Sequence, residues 1–160
     1  MRFTTLATTL AAASQATALL SGLAVPAVIA PGSHFNLTLI AEPRAELHPE
    51  VAISYGYSPS TGYPGALGDN VKSVFLGPIS SNTKHNVTIS AKAPSREELI
   101  PGRPSGPGTD ERMYLNIAFF QLSSNKAYPM IKNFNVSILF GEKTSDNLVA
   151  STIPLNVLYS

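Results

Sequence analysis

From His34 to Ile40, and again from Asn133 to Phe140, the chain alternates between apolar and polar residues. Phe35, Leu37 and Leu39 fall on one side of His34, Asn36 and Thr38. Phe134, Val136, Ile138 and Phe140 fall opposite Asn133, Asn135 and Ser137. A period of two is what a strand with one buried and one solvated face requires, and a helix cannot bury such a set. His85 to Ala91 repeats the pattern with Val87 and Ile89 inward. Val51 to Tyr57 and Val71 to Leu76 are rich in β-branched and aromatic residues, and Tyr114 to Leu122 is apolar on both faces, as a central strand is.

Prolines and glycines divide these segments. Leu23 to Ile29 reads as a first strand, with Pro26 placing it at a sheet edge or a bend, and Pro31-Gly32 as a turn. Glu42 to Pro49 and Gly141 to Asn147 are connections, and Pro154 consigns the last segment, Leu148 to Leu158, to an edge. Lys92 to Arg112 is a long break whose four prolines and three glycines forbid regular structure over most of it. Within it Ser95-Arg-Glu-Glu-Leu99 fits one helical turn, because Ser95 caps and Glu98 stands three residues on. Seven or eight short strands without an amphipathic helix predict an all-β domain, an immunoglobulin-like β-sandwich in architecture, without the Cys-Trp-Cys core of antibody domains.

Residues 1–18 read as a secretory leader. Arg2 is the basic start, Phe3 to Ala13 the short apolar core, and Ala16-Thr17-Ala18 an A-x-A site, which puts cleavage between Ala18 and Leu19. Residues 19–160 then form one domain. Loss of Arg2 from the 11 basic residues balances the 10 acidic ones, so neither a nucleic-acid partner nor a polybasic membrane contact is expected. No integral membrane segment is expected in the mature chain, since the leader's apolar run is too short to span a bilayer. The chain has no cysteine, so a secreted domain of this size must hold itself together by packing alone.

No reaction is visible in the residue patterns. His34, His48 and His85 lack metal-ligand spacing and read as surface or strand-end imidazoles. Gly102-Arg-Pro-Ser-Gly106 is not a nucleophile elbow, and Glu97-Glu98 belong to the capping turn. A non-enzymatic protein without cofactor or metal is the expectation. Three N-glycosylation sequons stand out, at Asn36, Asn86 and Asn135. In each the middle residue is an inward apolar β-former, so the asparagine and its hydroxyl partner share the solvated face.

Two loops compete as a partner-binding surface. The central one, from Tyr57 to Leu67, carries Tyr57, Tyr63, Pro64 and Leu67 between two adjacent strands, where ordering on binding costs little. The longer loop, 92–112, costs about 1–2 kcal/mol per residue to order. The central loop is the expected site. Tyr55, Tyr57 and Tyr63 still admit two roles: exposed anchors, or a core cap by Tyr55 or Tyr57 with Tyr63-Pro-Gly65 as a type II-like turn.

Tyr63-Pro-Gly-Ala-Leu-Gly68, Val74-Phe-Leu-Gly-Pro78 and Ser80-Ser-Asn82 resemble the fungal family of necrosis-inducing secreted protein 1-like effectors. Val25-Pro26 to Pro31-Gly32, Phe35 to Leu39, Val51 to Gly56, Asn86 to Ile89 and Asn133 to Ser137 follow in the same order, covering most of residues 22–141. The 92–112 loop and the segment after Thr144 are longer than the family's pattern. The resemblance implies a secreted effector of a plant-associated fungus. It further implies binding of host plant immune kinases, a receptor-like co-receptor and a receptor-like cytoplasmic kinase, with suppression of pattern-triggered immunity and host cell death as outcomes. It transfers no binding residues. The alternative is a cell-surface or carbohydrate-associated sandwich of the fungal wall.

Overall fold

The computed structural model describes residues 17–44, 49–59, 63–81, 83–99, 111–123 and 126–155. Among them are nine strands in two sheets. One sheet has the order β6-β3-β1-β9, the other β2-β8-β7-β4-β5. The strands are β1 Thr17–Pro26, β2 Val28–Ile29, β3 His34–Arg44, β4 Glu50–Ser58, β5 Asp69–Phe75, β6 Val87–Lys92, β7 Glu111–Leu122, β8 Pro129–Phe140 and β9 Leu148–Ser151. Two four-residue turns of helix, α1 Gly77–Ser80 and α2 Arg96–Leu99, lie on the connections flanking β6.

The alternation is what joins the sheets. Leu23, Val25, Phe35, Leu37, Leu39 and Ala91 point inward from the first sheet. They meet Ile53, Tyr55, Tyr57, Leu115, Ile117, Phe119, Phe134, Val136, Ile138 and Phe140 from the second in one continuous core. Each such large side chain contributes roughly 1.5–3 kcal/mol by leaving water. Rings pack at the centre, Phe119 against Phe134 at 5.0 Å and Tyr57 against Phe140 at 5.9 Å. Val87 and Ile89 are half-buried against that core, as their alternation predicts.

Several boundaries differ from the sequence reading. The expected first strand is two strands: Pro26 ends β1, the chain bends at Ala27, and β2 crosses to the other sheet to run parallel to β8. Pro26 thus makes a bend and not an edge, since β1 lies inside its sheet between β3 and β9. β1 also starts at Thr17, so the expected Ala18–Leu19 junction falls within it, with Leu19 buried. The 92–112 break is not loose from its start. Ala93 and Pro94 are buried, with the Ala93 N–H on the Ser33 carbonyl at 2.9 Å and the Gly32 N–H on the Pro94 carbonyl at 2.9 Å. The last strand ends at Ser151, before Pro154, and β9 is an edge strand as expected. Residues 100–110, His48 and most of the leader lie outside the described residues.

Glu50 and Gln121, both buried, explain how β1 tolerates a bulge between Leu20 and Gly22. β9 pairs only with Leu23 to Pro26. Beyond its reach the Leu20 N–H donates to Glu50 Oε1 at 2.8 Å, and Gln121 Nε2 donates to the Leu20 carbonyl at 3.2 Å. Side chains from the opposite sheet thus complete a ladder that β9 leaves short. The nearby half-buried Lys132 has its pKa lowered, first by burial and then by Arg44, with Glu50 and Glu42 opposing.

Candidate partner-binding surface

The loop between β4 and β5 folds back over the outer face of the five-stranded sheet. On β4, Ile53, Tyr55 and Tyr57 face the core, so Ser54, Gly56 and Ser58 face out. Asn116 is the register partner of Gly56 on β7. Its Nδ2 donates to the Leu67 carbonyl at 3.2 Å and to Ser58 Oγ at 2.9 Å. The loop backbone comes so close that a Cβ on Gly56 would stand 2.7 Å from the Leu67 carbonyl oxygen and 2.9 Å from that of Asp69. A missing side chain thus makes the seat, and a buried amide holds the loop in it. At the tip, the Ala66 N–H donates to the Tyr63 carbonyl at 3.0 Å, with Gly65 at φ 86°. That is the type II arrangement expected of Tyr63-Pro-Gly65.

Of the four loop residues expected to meet a partner, the structure exposes two. Tyr63 is 86% exposed and Pro64 is also at the surface. Tyr57 is 1% exposed, a core residue packed edge-on to Tyr55 with ring centroids 6.5 Å apart. Its assignment to the partner surface is therefore corrected: four residues on from Ile53, it keeps the inward parity of its strand. Burial pushes the Tyr57 phenol well above its usual range, helped by the charge of Tyr55, and burial likewise raises Tyr55. Leu67 is half-buried, and its carbonyl serves the seat.

Sequence reasoning missed the apolar residues that share this outer face. On the outer face Phe75, Ala52, Phe120 and Ile131 are successive register partners across β5, β4, β7 and β8. Phe75 is 73% exposed; Ile131 and, further along β5, Val71 also reach the surface. β5 is the sheet's free edge, and the turn α2 sits next to it. There the Glu98 N–H donates to Ser95 Oγ at 3.3 Å and the Ser95 N–H to Glu98 Oε2 at 2.7 Å, the reciprocal capping box expected from the sequence. These bonds hold the Glu98 carboxyl below its ordinary pKa. Asn70 Nδ2 reaches the Glu98 carbonyl at 3.1 Å and ties α2 to β5.

The three sequons divide between the sheets. Asn36 is exposed on β3 and Asn86 is exposed just before β6, while Asn135 is half-buried on β8, on the outer face of the other sheet. No group of three or more metal-ligating side chains occurs among the described residues, and no helix among them is long and apolar enough to cross a membrane.

Residues 16–139 match the family described as the Nis1 family. The chain is 30% identical over 149 residues to the necrosis-inducing secreted protein 1 of Colletotrichum orbiculare, an alignment spanning 92% of this chain and 85% of that one. The chain belongs to the Nis1 family. A second member, of Colletotrichum higginsianum and bearing the same name, is 26% identical over 137 residues, spanning 85% of this chain and 88% of that one. The family resemblance read from the sequence thus stands, and this Nis1-family chain is a secreted effector-type protein built on a β-sandwich. The matched region holds the loop, its Gly56 seat and the Phe75 row; β9 lies beyond it.

Proposed function

We propose that this Nis1-family protein acts in the host plant by binding, without catalysis, and that its partners are receptor-associated immune kinases whose signalling it lowers, with necrosis as a visible outcome. The observation that carries the reading is the outer face of the five-stranded sheet. There an apolar row exposed at both ends, Phe75 and Ile131, lies on the same face as a loop pinned by Asn116. Solvent-exposed aromatic side chains on a rigid support are the usual anchors of protein interfaces, because they bury area with little loss of conformational freedom. The names of the Colletotrichum relatives support secretion and necrosis, and the kinase as partner class comes from the family resemblance.

The test is capture of plant receptor-associated kinase domains by the secreted protein, comparing wild type with Phe75→Ser and Tyr63→Ala after circular dichroism shows each folded. Each substitution should weaken capture about tenfold or more, the effect of losing an interface anchor. Kinase capture unchanged in both variants would remove this face from the interface. Retention of the wild type on wall polysaccharide without kinase capture would favour the carbohydrate-associated alternative.

A further inference from the structure

A second feature lies on the opposite side of the molecule, on the outer face of the four-stranded sheet. Asn36 on β3 pairs with Ser90 on β6, and Pro26 on β1 pairs with Leu148 on β9. Carrying the β1–β3 register two residues past its last pair, Ala24 with Thr38, brings Pro26 opposite Asn36. Ser90, Asn36, Pro26 and Leu148 therefore form one row across all four strands. They line an open cleft of about 360 Å³, to which His34 and Asp146 also contribute. That volume is in the range of sites that hold small ligands.

The wall of the cleft is held rigidly. The Val28 N–H donates to Ser145 Oγ at 3.2 Å and the Ala30 N–H to Thr144 Oγ1 at 3.0 Å, while the Ser145 N–H donates to the Val28 carbonyl at 2.9 Å and the Ala27 N–H to the Asn147 carbonyl at 2.7 Å. These bonds fasten the segment before β9 to the β1–β2 bend. Leu148, 62% exposed, is left as an apolar side chain without cover, with Pro26 between it and the asparagine that heads a sequon. A sugar ring has one apolar face and a polar rim. Pro26 with Leu148 suit the first, and His34, Ser90 and Asp146 suit the second.

We propose that Asn36 carries an N-linked glycan whose proximal N-acetylglucosamine rests in this cleft instead of extending into solvent. The donor is a lipid-diphosphate-linked oligosaccharide. Asn36 Nδ2 attacks the anomeric carbon, the C–N bond forms as the C–O bond to diphosphate breaks, the lipid diphosphate leaves with the electron pair, and one amide proton is lost. Transfer precedes folding, because the Thr38 hydroxyl that completes the sequon is hydrogen-bonded to Thr88 Oγ1 at 3.3 Å once the sheet has closed. The glycan then folds into place with the sheet. Asn86 offers a contrast: its Oδ1 accepts the Ala41 N–H at 3.0 Å, and it heads β6 at the end away from the cleft, so a sugar there has no such seat.

The experiment uses full-length chain secreted from a yeast host, in two backgrounds that each keep one sequon on this sheet. Asn86→Gln with Asn135→Gln leaves Asn36, and Asn36→Gln with Asn135→Gln leaves Asn86. Release of the glycan from native protein by a peptide-N-glycosidase should be about tenfold slower at Asn36 than at Asn86, which corresponds to ~1.4 kcal/mol of seating. After denaturation the two rates should agree. Leu148→Ser in the Asn36 background, shown folded by circular dichroism, should abolish the native difference and leave occupancy unchanged. An unmodified Asn36 in secreted wild type, equal native rates, or a difference that survives Leu148→Ser would each overturn the proposal.

Discussion

Gly56→Ala tests the seat of the central loop because two lines of reasoning predict opposite signs. Gly56 lies inside β4, and its φ is outside the left-handed region, so the added methyl meets no backbone strain of its own. Considered locally, the substitution should stabilise by about 0.4–1 kcal/mol, since alanine loses less backbone freedom on folding. The structure predicts the reverse. The new Cβ would stand 2.7 Å and 2.9 Å from the carbonyl oxygens of Leu67 and Asp69. Both are main-chain atoms and cannot rotate away, so the loop must lift. Overpacking of this kind costs about 1–3 kcal/mol. Lifting also breaks the Asn116–Leu67 hydrogen bond, worth about 0.5–1.5 kcal/mol. Against the local gain, the net expectation is a loss of roughly 0.5–4 kcal/mol. Urea unfolding measures it, followed by tyrosine fluorescence because the chain has six tyrosines and no tryptophan. Limited proteolysis should show the loop cut faster in the variant. A Gly56→Ala protein as stable as wild type or more so would refute the seat.

Tyr57 has a buried hydroxyl without a hydrogen-bond partner among the described residues, so Tyr57→Phe should leave the melting temperature unchanged or raise it; a loss beyond about 1 kcal/mol would mean the hydroxyl is paired. Glu98 has a lowered pKa in the folded chain, so its capping bond to Ser95 is present above the pH range where an unfolded glutamate titrates and is lost as pH falls through the lower folded value. An NMR titration should find that depressed midpoint in wild type and a partial rise toward the ordinary value in Ser95→Ala, which loses the hydroxyl but keeps the backbone N–H on the carboxylate; identical midpoints would remove the Ser95 hydroxyl as a contributor.

Where the alternation was strong, the sequence showed both strand and face, as in β3 and β8, and the capping box and the Tyr63 turn were legible from spacing alone. Tyr57 was legible too, since Ile53, Tyr55 and Tyr57 share a parity; ending the strand at Tyr57 assigned it to the loop instead. Phe75 was not. Val74 and Phe75 are adjacent and cannot both face inward, and only the register of Val74 against the core residue Ile53 decides between them. That register belongs to a pairing and not to β5 itself. The folded-back loop was equally hidden, because Leu67 and Asn116 meet from distant parts of the chain and neither has a local signature of the contact. The Asn36 cleft needs four strands in register, so the sequon was visible and its seat was not.

The place of β1 between β3 and β9 has a consequence for export. Among the described strands β1 is made first, yet one of its two neighbours, β9, is made last. Domains usually fold as they emerge, from the N-terminus onward, and non-local pairing slows closure. Here the four-stranded sheet stays incomplete until Leu148 to Ser151 arrive, and with no cysteine in the chain no disulfide traps an earlier intermediate. A secretion route that threads an unfolded chain is therefore suited by this topology, which keeps the sheet open until β9 is made.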